Sequence, residues 1–306
     1  MLNYIVKRII SGVITLWVVI TITFILMHLI PGGPFDKEKK VPDKVKKAME
    51  ARYNLDKPLW WQYGDYLKGL VKFDLGPSFK YEGRTVNEII KTGFPVSAQL
   101  GGVAVIFSLL LGLPFGIISA LKQGKWQDNL VMFLATIGIT VPSFVLATLL
   151  LYVFGLKLGW FPTMRWGTPL HYVLPVIALA GSPTAIISRL TRSSLLDVVR
   201  QDYIRTARAK GIPEKIVIYK HALKNALIPV LTYLGPLIAA VLTGSFVIEK
   251  IFTIPGLGKQ FVESITNRDF TTILGTTVFY SVLLVVCNLI VDILYAVVDP
   301  RIKLDN

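Results

Sequence analysis

Asp202-Tyr-Ile-Arg-Thr-Ala-Arg-Ala-Lys-Gly211 lies between two long apolar stretches and decides how the chain is read. It sits in a basic segment, 189–224, in which Arg189, Arg192, Arg200, Arg205, Arg208, Lys210, Lys215, Lys220 and Lys224 face only Asp197, Asp202 and Glu214. Asp202 is suited to cap a helix start, its carboxylate accepting from orphan backbone N–H groups. Arg205, Arg208 and Lys210 then fall toward the helix C-terminus, where the dipole favours cations. Gly211 supplies the left-handed residue that closes the helix, and Ile212-Pro213 restarts it with proline at the first helical position. The reading is of two short helices with a fixed elbow, Ile204 and Ala207 on one face and cations on the others. Attraction to anionic head groups, about 1 kcal/mol per cation, accounts for the charge but not for two caps and an elbow. Such an element fits docking by a soluble partner.

The rest of the chain is membrane-like. Mean hydropathy is +0.58 and hydrophobic residues make up 53% of 306 positions, too apolar for a soluble protein of this size. Stretches 96–121, 130–156 and 226–248 exceed the roughly 18 apolar residues of a spanning helix, as does 270–291 up to Asp292. The stretch 9–31 makes a fifth, with His28 its titratable group. The sixth, 172–188, is short and broken by Pro175, Gly181 and Pro183. Six spans are expected. The first follows Lys7 and Arg8 but is too long for a signal-peptide core and lacks a cleavage pattern, so it reads as an anchor. No lipidation signature is present.

Loop charges orient the spans. With the N-terminus inside, 1–8, 122–129, 189–224 and 301–306 share one side and hold 15 Lys and Arg, against five in the short opposite loops. The positive-inside rule makes the first set, both termini included, cytoplasmic. The other 13 lie in 32–95 with nine carboxylates, a mixed solvated surface. The net charge of +14 is thus largely topology and implies no nucleic-acid partner. Cys287 stands alone, which excludes a disulfide framework and a cysteine metal set.

Within 32–95, residues 42–53 read as a helix with Pro42 at its first turn. Residues 59–73 carry aromatics at helical spacing, suited to the membrane interface, to an external partner, or to both. Pro255-Gly-Leu-Gly-Lys259 imitates a phosphate-binding loop, but Thr253 and Gln260 stand where that motif needs Gly and Ser or Thr. No nucleotide site is expected here; Pro255, Gly256 and Gly258 read as a tight turn or part of an outer gate. Pro114, Pro142, Pro175, Pro183, Pro229 and Pro236 each remove a backbone hydrogen bond inside a span, tolerated where protein or a wet cavity compensates. Thr140-Val-Pro-Ser-Phe144 and Ala180-Gly-Ser-Pro-Thr184 place hydroxyls beside such breaks. They read as packing kinks or as walls of a substrate path. Asp292 suggests a neutralising ion pair or a proton relay; His28 reads as structural, and Gln99 and Asn288 as bonds between helices.

The run 203–229 resembles the cytoplasmic coupling motif of ABC-importer permeases, with a Glu-Ala-Ala-x-x-x-Gly signature. Here the positions are Arg205-Thr206-Ala207-x-x-x-Gly211, so the Glu is replaced by Arg205. Leu242-Thr-Gly-Ser-Phe-Val-Ile-Glu249 through Gly258, Ser264 to Phe270, Asn54-Leu-Asp-Lys-Pro-Leu59 and Phe73-Asp-Leu-Gly-Pro-Ser78 are similar to segments of the peptide-transporting branch, B-type subunit. So are 8–34 and 291–301.

The resemblance implies an all-α, six-span type I importer permease. It would have an anchor (1–31), an outer loop (32–95) and a core (96–306). The core spans fall near 96–121, 130–156, 172–190, 226–248 and 270–298, with a coupling loop at 191–225. Asp202, Tyr203, Ile204, Arg205, Thr206, Ala207, Arg208, Lys210 and Gly211 would form the ATPase-coupling helix. Thr140, Pro142, Ser143, Phe144, Ser182, Pro183, Glu249, Pro255, Gly256 and Gly258 would line the path or gate. The implied partners are a second homologous permease, two ATP-binding subunits that hold ATP and Mg, an external substrate-binding protein, oligopeptide substrate and the lipid bilayer, in a bacterial inner membrane. Dipeptides, nickel, heme or opines are alternative cargoes. A proton-coupled secondary transporter is the alternative of another class.

Overall fold

The computed structural model describes the backbone of residues 2–30, 43–242 and 245–298 and the side chains of 6–30, 47–242 and 245–290. The expected helix start at Pro42 and the Asp292 side chain lie outside the described residues. The chain is all-α, as expected: α1 Leu2–Leu29, α2 Asp43–Arg52, α3 Leu59–Val71, α4 Val86–Leu121, α5 Trp126–Thr140, α6 Ser143–Leu150, α7 Leu170–Val198 and α8 Asp202–Ala209. α9 Glu214–Ile216 runs through a π-helical turn, Val217–Ala222, into α10 Leu223–Ala226. Then come α11 Ile228–Leu242, α12 Phe246–Ile251, α13 Leu257–Asn267 and α14 Phe270–Val298. Among the described residues five helices are long and apolar enough to cross a membrane, and six if one bent pair is a single span.

Three expected spans differ in form. α4 starts at Val86, not 96, so 86–95 belongs to a helix and not to the outer loop. A reciprocal cap starts it there. Glu88 N–H donates to Thr85 Oγ1 (3.2 Å) and Thr85 N–H to Glu88 Oε2 (3.1 Å). At 1.5 Å per residue α4 is about 54 Å long, well beyond the roughly 30 Å hydrocarbon core. The span 130–156 is a pair of helices, Trp126–Thr140 and Ser143–Lys157, bent by 101°. Pro142 causes the break: it holds Val141 extended (φ −80°, ψ 118°) and itself caps α6. Conversely, α7 runs unbroken through Pro175 and Pro183, because α5, α6 and α11 pack around it and cover the disturbed turns.

The chain folds as two compact units, one of Met1–Val96 with Pro255–Val286, the other mainly Ser97–Ile254. In the second, α4 presents Ser97, Gly101, Ala104, Ser108, Gly112, Gly116 and Ser119 at three- and four-residue steps. A Cβ at Gly101 would lie 2.7 Å from Val241 O, one at Gly112 2.8 Å from Ile187 Cγ2, and one at Gly116 2.5 Å from Thr191 Cβ. Small residues thus let α4 approach α7 and α11 at backbone distance.

Candidate functional site

Helix α8 is held against its own unit by its apolar face. Ile204 (0% exposed) and Ala207 (8%) join Ala120, Leu195, Val217, Ala222 and Ala226 in one buried cluster. The rest of the helix, Asp202, Tyr203, Arg205, Thr206, Arg208 and Lys210, is exposed. The expected division of faces is therefore present, and it assigns Ala207 inward, away from any partner. Tyr203 Oη accepts from Asn225 Nδ2 (2.8 Å), tying α8 to α10. Gly211 closes the helix with φ +74°, its N–H donating to Arg208 O (2.9 Å).

Two local expectations are corrected. Gln201 occupies the cap position, with no side-chain cap bond, and Asp202 is already the first helical residue. Its carboxylate receives only a long 3.5 Å bond from Arg205 while remaining favourably placed at the dipole's positive end. Pro213 caps α9 with ψ 137° instead of opening it. The elbow also has a lock. Arg208 donates to both Glu214 oxygens (3.1 and 2.8 Å) and to Val199 O (3.4 Å). The hydrogen bond from Arg208 is the main reason the Glu214 carboxyl titrates below its usual range, and the same bond raises the Arg208 guanidinium.

The expected path residues fall in both units. Thr140, Pro142, Ser143 and Phe144 are exposed at the bend; Ser182 is half-buried and Pro183 buried in α7. A Cβ at Gly138 would meet Gly181 O at 3.0 Å, so bend and proline turn lie side by side. Helix α12 packs on α6 and α7 and carries Glu249, wholly buried, whose Oε1 accepts from Ser97 Oγ (2.7 Å). Pro255, Gly256 and Gly258 belong to the other unit. There Gly256 caps α13, and a Cβ at Gly93 would lie 3.0 Å from the Leu257 backbone, so the segment is a packed helix start as well as a turn. His28 bonds Phe24 O (2.8 Å) and Gln62 (3.3 Å), and Gln99 accepts from Tyr172 Oη (3.2 Å), the structural and interhelical roles expected of them.

Two carboxylate knots escaped the sequence reading. Asp128 (3% exposed) accepts Arg192 Nε (2.7 Å) and Nη2 (2.8 Å), Gly124 N–H (2.9 Å) and Ser119 Oγ. It joins the ends of α4 and α5 to α7, beside Ala120 and one turn from Leu195 of the α8 cluster. Asp269 (1% exposed) accepts Ser78 Oγ (2.5 Å), Phe79 N–H (3.0 Å), Thr271 Oγ1 (3.0 Å), Thr272 N–H (3.2 Å) and Thr272 Oγ1 (2.8 Å), pinning the loop between α3 and α4 to the start of α14. The partners lie 64 and 191 residues apart, so no local pattern announces them.

Several membrane-length helices, one of them packed on its neighbours through glycines, with a cationic helix held between α7 and α11 in the sequence, define a polytopic membrane subunit of the importer-permease type. The fold matches solved transporters. One is an inward-facing methionine ABC transporter, MetNI (TM-score 0.55, 15% identity, 69% of this chain and 96% of that one). Another is an amino acid ABC transporter with histidines (0.56, 19%, 68% and 93%). The model of the binding-protein-dependent transport system inner membrane component matches residues 112–304, and that of its N-terminal region matches 1–101. This chain belongs to that family. It is 52% identical to the dipeptide transport system permease protein DppB of Bacillus subtilis, over 99% of both chains. It is 44% and 45% identical to the oligopeptide transport system permease proteins OppB of Haemophilus influenzae and Escherichia coli K12, over 99% of this chain and 100% of each relative. It is thus a transport subunit that works with other ABC components, and its family sets aside the secondary-transporter alternative.

Proposed function

We propose that this chain is one of two membrane halves of an ATP-driven importer of peptides, forming half of the translocation path. The peptide cargo rests on full-length likeness to oligopeptide and dipeptide permeases. The drive rests on one observation, the docking of α8 by Ile204 and Ala207 with Tyr203, Arg205, Thr206 and Lys210 outward. A helix so held passes a push or pull to α4, α7 and α10 instead of yielding alone. In this reading α8 occupies a cleft of one of two ATP-binding subunits, which bind ATP and Mg while this chain binds neither. Closure of that pair draws the coupling helices together and rocks the core toward the outside, where a binding protein delivers substrate; hydrolysis resets it. The loop-charge asymmetry supports cytoplasmic termini in a bacterial inner membrane. Near the break at Pro142, Thr140 and Ser143 offer hydroxyls without fixed charge, suited to a cargo that varies in side chain and repeats its backbone. Ser182, Pro183, Glu249, Pro255, Gly256 and Gly258 are assigned to path or gate by the family resemblance, Glu249 as a buried carboxylate bonded to Ser97 and not as a lining charge.

Purification of the tagged chain from native membranes tests the drive. Wild type is expected to bring two ATPases and a second permease, and Arg205→Glu, on the exposed face, to lose at least tenfold of the ATPase while keeping the permease. Ala207→Glu reports on folding instead, since it buries a charge among Leu195, Val217 and Ala222. Recovery of wild type alone or as a homo-oligomer overturns the reading. Competition for uptake by peptides of two to five residues separates the dipeptide alternative, which the 52% relative supports.

A further inference from the structure

The unit built from α1, the outer loop and the start of α14 contains two cavities that no part of the transport reading uses. The first, about 280 Å³, is lined by Arg52, Asp65, Tyr66 and Asp74 among aromatic rings that include Phe24 and His28. The second, also about 280 Å³, is almost purely apolar and runs between α1 and α3 past Ile25, Leu29, Leu59 and Trp60. They share Phe24 and His28. A chamber that holds two carboxylates, a guanidinium and a phenol thus adjoins an apolar groove on α1, a helix that stays largely exposed.

The chamber is equipped for one kind of ligand. The Tyr66 hydroxyl is buried with no hydrogen-bond partner, an expense that a bound acceptor removes. Burial raises its phenol well above the usual value, so it stays a neutral donor at any physiological pH. Arg52 adds a guanidinium, 5.7 Å from the centre of the Tyr53 ring. One Asp74 oxygen is engaged by Gly76 N–H (2.9 Å), and Asp65 is exposed at the chamber. Guanidinium and phenol suit a phosphate; two carboxylates among aromatic faces suit an ammonium. We propose that the two cavities form one site for a zwitterionic phospholipid with a primary ammonium head group, its phosphate at Arg52 and Tyr66 and one acyl chain in the α1–α3 groove. A chamber near the lower edge of the usual 300–1,000 Å³ range for ligand sites suits a head group. A free peptide from water has no use for the groove, and an anionic head group has none for the two carboxylates.

The purified full-length chain, stripped of lipid and titrated with phosphatidylethanolamine or phosphatidylglycerol, is followed by native mass spectrometry. One phosphatidylethanolamine per chain is expected, held at least tenfold more tightly than phosphatidylglycerol. Tyr66→Phe, which keeps the ring, and Arg52→Gln should each weaken it about tenfold. A photoactivatable phosphatidylethanolamine should label residues 21–29 and 59–66. Equal retention of both lipids, unchanged retention in both variants, or labelling spread over the other spans overturns the site. So does glycerophosphoethanolamine binding as tightly as the lipid, since the groove would then contribute nothing. Binding is scored on variants that elute as wild type, and the result is independent of whether the importer carries peptides.

Discussion

The two knots hold opposite ends of the sequence's logic by different chemistry. Asp128 is compensated by a full charge: Arg192 grips both its oxygens, and Ser119 and Gly124 N–H complete the shell. Asp269 instead gathers uncharged donors, those of Ser78, Phe79, Thr271 and Thr272. The first binds three helices beside the α8 cluster; the second fastens a loop to a helix start. An ion pair concentrates its strength in two side chains, so either loss strands the other. A dipole shell spreads it, so single losses are shared. The region that would carry force has the stiff, all-or-none joint, and the loop between α3 and α4 has the distributed one.

The largest effect is expected where a charge is stranded. Asp128→Ala should destabilise by about 3–5 kcal/mol, toward the lower figure because Arg192 keeps 26% side-chain exposure. Thermal unfolding in detergent measures it, and Asp128→Leu with Arg192→Met should recover most of the loss. A single variant as stable as wild type breaks the comparison. Next, Asp269→Ala should lose about 2–3 kcal/mol and Thr272→Val only about 1 kcal/mol, four bonds to the carboxylate remaining. If Thr272→Val matched Asp269→Ala, the shell would not be distributed. The smallest effect belongs to Arg208–Glu214, whose side chains are 41% and 60% exposed, worth under about 1 kcal/mol. Because the folded Glu214 titrates below its ordinary 4.5, its contribution is present above that value and lost as pH falls through the lower folded one. Wild type and Glu214→Gln should differ slightly at neutral pH and converge in acid; a gap that widens in acid refutes the sign.

Much of the site was legible because its signals are local. Gly211 is read as a helix stop because a side chain resists φ +74°. Ile204 and Ala207 are three residues apart and so share a face. Local signals were also missed. Thr85-x-x-Glu88 marks the start of α4, hidden because hydropathy reports where lipid is expected and not where a helix ends. The small-residue steps from Ser97 to Ser119 forecast close packing without saying against which helix. At Asp202 the residue type is right for a cap and the position is one off, because the extended cap backbone (ψ 150°) falls on Gln201.

By itself the sequence determined the membrane class, the apolar stretches, the cationic two-faced helix and the family, because each depends on residue type and short spacing. Tertiary structure alone decided that Pro175 and Pro183 leave α7 whole where Pro142, by its local restriction of Val141, breaks its span by 101°. It also decided that Asp128 meets Arg192 and Asp269 meets Ser78. A proline's lost hydrogen bond and a carboxylate's burial are settled by which distant groups arrive to satisfy them, and that is a property of the packed chain.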